Sequence, residues 1–242
     1  MRKRIPEVPV TVMQASGYFV YDEQYVHING TEKYRALLKD SITGSFVEDI
    51  LDDLGEETIV NFMINALSRS IIPYSLNYIV ITTDGYYYES ILETVSEMMH
   101  IRIKRQKCLF HIKKDLAHRI KVSRKEKELD MAKRLIKFIF FQIEKNLMNL
   151  GRNSDPIAAL IARKNETDTV DIMLENVNRL YGYDSIISNC LSFLKSHRKE
   201  VFLYLQDPMV EKTSDMVIQA QVKDKGRIIE NIFLVPSLSI NR

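Results

Sequence analysis

The run Gly17-Tyr-Phe-Val-Tyr-Asp22-Glu-Gln-Tyr-Val-His-Ile-Asn29 decides how the rest of the chain is read. Aromatic and β-branched residues fill it as they fill a strand, yet a carboxylate stands in its middle. Burying an unanswered charge costs on the order of several kcal/mol, so Asp22 asks for a metal ion or a cationic side chain. A second apolar strand, Tyr78-Ile-Val-Ile-Thr-Thr-Asp84-Gly85, also ends on an acid and runs into a helix-like stretch. Two acids on neighbouring strands begin a hard-cation site suited to phosphate chemistry.

Working outward, Asn29-Gly30 is a hairpin signal, and Lys33–Lys39 reads as an antiparallel second strand. Asp40-Ser-Ile-Thr-Gly44 gives another turn and Ser45–Leu51 a third strand. The period then changes: Ile59, Phe62, Met63, Ala66 and Leu67 fall at helical spacing, which predicts a helix over 57–70 ended by Pro73. After the strand at 78–83 come a helix carrying Ile91, Leu92, Val95 and Met98 and a short strand near 101–107. Beyond it the chain reads as helical almost to Gln206, with breaks near Gly151–Pro156 and at Gly182. The expected fold class is α/β, a ribonuclease H-like mixed sheet with flanking helices, interrupted by an all-helical insertion. In that fold the first acid lies midway along the first strand and the second at the end of the fourth, as Asp22 and Asp84 do.

At 242 residues the chain can bury a full core without disulfides, and Cys108 and Cys190 read as reduced thiols. The opening Met-Arg-Lys-Arg lacks the apolar core of a signal peptide, and no apolar run approaches a membrane span, so a cytoplasmic protein is expected. Net charge is only +2, but residues 102–127 hold eleven basic residues against Asp115 and Glu126. This run is either a solvated helix face or a surface for a polyanion such as nucleic acid.

Three blocks carry a family resemblance. Tyr21–Val26 followed by Lys33–Asp40 resembles the first-aspartate block of DDE-type insertion-sequence transposases, and Thr82-Thr-Asp84-Gly-Tyr86 their second. Gln106-Lys-Cys108-Leu-Phe-His111 is similar to the Cys-x-x-His element of Mutator-like transposases and related prokaryotic proteins. The resemblance implies metal-dependent DNA cleavage and strand transfer. Asp22 and Asp84, with a glutamate, would hold two magnesium or manganese ions; His111 would be an active-site neighbour near the scissile phosphate, with Cys108 packed beneath it. Its implied partners are transposon-end and target DNA, engaged by a homo-oligomer; from the basic run, Lys104, Arg105, Lys107, Lys113, Lys114 and Arg119 are the expected DNA contacts. The expected division is a leader at 1–16, a core at 17–122, a helical insertion at 123–206 and a degenerate closing segment at 207–242.

The sequence departs from the pattern at the third acid. The turn Lys212-Thr-Ser-Asp215 puts Ile218 where the glutamate is expected, and isoleucine cannot ligate a cation. Glu211 and Glu230 are nearby but out of position. The expectation is a truncated or decayed transposase copy; the rivals are a non-catalytic DNA-binding remnant and a stand-alone ribonuclease H-like nuclease. Two bland readings stay open beside these: Asp22 paired across the hairpin with Lys33 or Arg35, and Asp84 as a helix N-cap.

Overall fold

The structure is a computed structural model, and it describes residues 12–73, 75–85, 87–122, 126–150 and 156–214. Strand β1 (Met13–Gln14) precedes the long β2 (Tyr18–Ile28), which turns back as β3 (Thr31–Asp40) and again as β4 (Phe46–Leu51). The first turn follows from its residues: Asn29 and Gly30 both take left-handed backbone, φ 51° and 79°, which matches the twist of the paired strands. Asp40, fully buried, makes the second turn by accepting hydrogen bonds from the amides of Ser16, Ile42 and Thr43.

Helix α1 (Glu56–Ser68) follows, with Glu56 and Glu57 in its first turn where the helix dipole favours acids. It stops five residues before Pro73, because Ser70–Ile71 leaves as β5 to pair in parallel with β1. The stretch read as a leader therefore contributes a strand, and Ala15 beyond it is buried. Next come β6 (Ile79–Thr83), α2 (Tyr88–Met99), β7 (Ile103–Lys107) and α3 (Leu109–Val122). The remaining helices are α4 (Glu126–Leu150), α5 (Pro156–Tyr181), α6 (Ser185–Ser196), α7 (Arg198–Val201) and α8 (Leu203–Gln206). Asp184 caps α6 by accepting from the amides of Ile186 and Ile187.

The main sheet has the order β4-β3-β2-β6-β7: three antiparallel strands, then two running parallel to β2. This is the ribonuclease H-like arrangement, a mixed sheet with helices on both faces. Strand alternation divides the core in two. Phe19, Tyr21, Ala36, Leu38, Ile79 and Ile81 face α1 and α2, where the Tyr21 ring lies 5.9 Å from Phe62 and 5.5 Å from Tyr88. On the other face Val80 joins α3 to α8 in a helical core that includes Ile139, Cys190 and Leu205.

Ile81 is fully buried on the interior strand β6, so Ile81→Ala is expected to lower unfolding free energy by about 2–5 kcal/mol in a denaturant titration.

Candidate active site

The site follows from one register. Strand β2 pairs in parallel with β6 so that Val20 lies opposite Thr82. Two residues further along each chain bring Asp22 and Asp84 to neighbouring positions, on the face of the sheet that α3 covers. Asp22 is 7% exposed, beside the small apolar contact of Val20 with Leu37. Lys33 ion-pairs with Asp52 and Arg35 with Glu48, so both hairpin cations serve acids in or just after β4. Asp84 is not the cap of α2: that position falls to Tyr87, which makes no side-chain capping bond. Gly85, at φ +62°, turns the backbone directly after the acid.

Helix α3 completes the approach. Its start is tied to the sheet by the Cys108 amide, which donates to the Thr83 carbonyl at 2.8 Å. Three residues on, His111 places Nε2 3.5 Å from Asp84 Oδ2, with 31% and 27% of the two side chains exposed. Cys108 is 1% exposed. Burial pushes its thiol up, but hydrogen bonds with His111 and Ser214 outweigh this and hold it below the ordinary thiol value. Asp84, Gly85, Cys108, His111 and Asp115 line a shallow hollow there.

The chain after α8 returns to this same place. Thr82 donates through Oγ1 to the Glu211 carbonyl at 2.6 Å, the Leu109 amide donates to the Lys212 carbonyl at 2.9 Å, and the Ser214 amide donates to Cys108 Sγ at 3.3 Å. Sequence reasoning missed Thr82 and Ser214 as anchors, because bonds between positions more than a hundred residues apart leave no local signal. Among the described residues no three His, Cys, Asp or Glu side chains gather as a metal-binding group, and Glu211 does not join the acids. Ile218 lies outside the described residues. The two aspartates are thus the right donors for a hard divalent cation but form an incomplete set among those residues.

On the opposite face Glu23 accepts a hydrogen bond from the Tyr88 hydroxyl. Burial, then the charges of Asp84 and Asp22, push its carboxyl up to about 8. Crowded acids of this kind form a local negative potential that a cation relieves.

The basic run divides. Lys113, Lys114 and Arg119 are exposed on α3; the Lys113 ammonium lies 5.3 Å from the centre of the Phe140 ring and the Arg119 guanidinium 4.7 Å from that of Phe193. Lys104 is half-buried with its ammonium 3.5 Å from the Tyr78 ring centre. Arg105 and Lys107 do not belong to a DNA-facing surface: they are 7% and 2% exposed and ion-paired with Glu200 in the interior. Both lie on the face of the sheet shared with Ile79 and Ile81, and the Glu200 carboxylate of α7 reaches them there. Among the described residues no helix is long and apolar enough to cross a membrane.

The arrangement is that of a ribonuclease H-like domain with one acid midway along β2 and a second just past the end of β6. No protein-family model matches the chain. It is 25% identical over 206 residues to an uncharacterized 48.3 kDa protein of insertion element ISM1 from Methanobrevibacter smithii, a match that takes in 84% of this chain and 45% of that protein. The chain therefore spans about half the length of the curated relative it matches. Among solved structures it is similar to the HTLV-2 integrase catalytic core domain in complex with magnesium, dimeric form, at 14% identity and TM-score 0.32, covering 51% of this chain and 83% of that one. A second is the simian T-cell lymphotropic virus intasome in complex with PP2A regulatory subunit B56 gamma, at 11% identity and TM-score 0.33, covering 66% and 52%. The fold assignment rests on the strand order and not on these partial overlaps.

Glu23 gives a prediction with a definite sign. Its folded pKa of about 8 exceeds the ordinary 4.5, so the native state loses stability as pH rises between those values. Glu23→Gln removes the titrating proton, and its stability relative to the unmodified chain is expected to improve from about pH 5 to about pH 9 in metal-free urea titrations, the pH range following from that shift.

Proposed function

We propose that this chain carries the catalytic domain of a DDE-type transposase of the Mutator-like and related prokaryotic group, and that it cuts and joins DNA with a divalent metal. The observation that carries the reading is the register that sets Val20 against Thr82, so that Asp22 in β2 and Asp84 one residue past the end of β6 each lie two positions further on, with His111 3.5 Å from Asp84. Similarity to an insertion-element protein supports it. In this reading residues 17–122 are the core, 123–206 the helical insertion and 207–242 a degenerate closing segment, and the preceding stretch at 1–16 adds Met13–Gln14 as a strand beside β5. The partners are transposon-end and target DNA, bound by a homo-oligomer in the cytoplasm.

In this reading Asp22 and Asp84 hold the metal, magnesium or manganese. When bound, two such ions would activate the attacking hydroxyl and stabilise the leaving oxygen in an in-line displacement at phosphorus. In the same reading His111, a partly exposed imidazole with Nε2 against Asp84, would orient that carboxylate and stand beside the scissile phosphate. Cys108 fixes the start of α3 under it and anchors Ser214, so the closing segment starts its last described turn beside the acids. Lys113, Lys114 and Arg119, with Lys104 at the edge, supply the DNA-facing charge.

A non-catalytic DNA-binding remnant is the second reading, and Ile218 favours it. A stand-alone nuclease is the third reading; like the transposase, it needs a third acid beside Asp22 and Asp84, and the described residues give none.

Nicking and strand transfer on terminal-repeat DNA with magnesium or manganese separate these readings. Asp22→Asn and Asp84→Asn are each expected to lower activity on the order of a hundredfold or more. Activity that appears only with Ile218→Glu identifies a decayed enzyme, and no activity in either chain identifies the remnant. Lys113→Glu with Lys114→Glu is expected to weaken DNA binding across sequences. Its salt dependence should flatten by about one unit of slope for each phosphate no longer neutralised, read from binding isotherms at several salt concentrations.

A further inference from the structure

Three successive polar residues of the edge strand β7 are buried: Arg105 at 7%, Gln106 at 0% and Lys107 at 2% exposure. Each is engaged. Gln106 donates through Nε2 to the carbonyls of Lys107 and Val201 and accepts through Oε1 from the Tyr204 amide, which fastens α7 and α8 to the strand. Arg105 and Lys107 lie on the face of Ile79 and Ile81, where Glu200 of α7 stands 3.8 Å from Arg105 Nη1 and 3.2 Å from Lys107 Nζ. Burial lowers the pKa of both cations and the Glu200 charge opposes the shift. Two desolvated cations beside one carboxylate are a poor way to gain stability, so another consequence of the arrangement is worth seeking.

That consequence is at the second aspartate. Arg105 Nε donates to Thr83 Oγ1 at 2.8 Å, and Nη2 donates to the Asp84 carbonyl at 2.9 Å and to that of Gly85. These carbonyls lie just past the end of β6, where its pairing with β7 has stopped, and in the turn that Gly85 makes with left-handed backbone. A planar guanidinium can hold the threonine hydroxyl and both carbonyls while keeping one nitrogen toward Glu200; a lysine ammonium lacks that reach and fixed geometry.

We infer that Arg105 and Glu200 are positioning residues for Asp84, so that α7, at the end of the helical block, sets the orientation of the second acid through Glu200, Arg105 and the carbonyls of residues 84 and 85. The inference rests on the reading of Asp84 as a metal-site acid. It gives the helical block a direct mechanical connection to the site, distinct from its packing against the sheet.

Hydrogen exchange by mass spectrometry on the full chain tests it with Arg105→Lys and Glu200→Gln. Glu200→Gln keeps the side-chain shape and provides a folded variant if Arg105→Lys does not. Exchange in peptides covering 83–88 is expected to rise on the order of tenfold while β2 and α1 stay protected, because a local opening has been made easier. Unchanged exchange at 83–88, or a uniform rise over the whole chain, overturns the inference. Manganese binding followed by electron paramagnetic resonance is expected to weaken about tenfold in both variants and to vanish in Asp84→Asn. Failure of the unmodified chain to bind manganese overturns the metal-site reading of the acid pair, whereas the roles of Arg105 and Glu200 are decided by the exchange data.

Discussion

The parallel pairing of β2 with β6 is the constraint on which the rest depends. It joins the antiparallel meander to the second half of the sheet, and its register sets Val20 against Thr82. A shift of one residue would turn Asp22 or Asp84 to the opposite face, since side chains alternate along a strand. The same shift would expose Phe19 and Tyr21 or bury their polar neighbours against α1 and α2. Core packing therefore enforces the register, and the acid pair follows from it.

Much of this is legible in the sequence because its signals are local. The Asn29-Gly30 turn, the alternation through β2 and β3 and the helical period of α1 each occupy a short window. Asp22 stands out because a charged residue in an apolar strand violates the pattern, and such violations mark sites. His111 is legible through its spacing from Cys108, which places one residue at the start of α3 and the other a turn later, against Asp84.

The remainder depends on contacts that no window contains. Lys104, Arg105 and Lys107 read alike in a basic run, yet strand alternation and the covering helix α7 separate their fates. Glu200 carries no local mark at all, since its partners lie about a hundred positions earlier. The end of α1 departs from its periodicity for the same reason: β5 forms only because β1, more than fifty residues away, is there to receive it. Pro73 is a valid helix breaker that the chain does not need.

Chemistry at the acid pair is the central claim, and a manganese-soaked crystal examined by anomalous scattering tests it most directly. The account predicts an anomalous peak within ligand distance of both Asp22 and Asp84, roughly 2.0–2.3 Å from carboxylate oxygen for an ion of this kind. A peak elsewhere, or no peak with the two carboxylates turned apart, would contradict it.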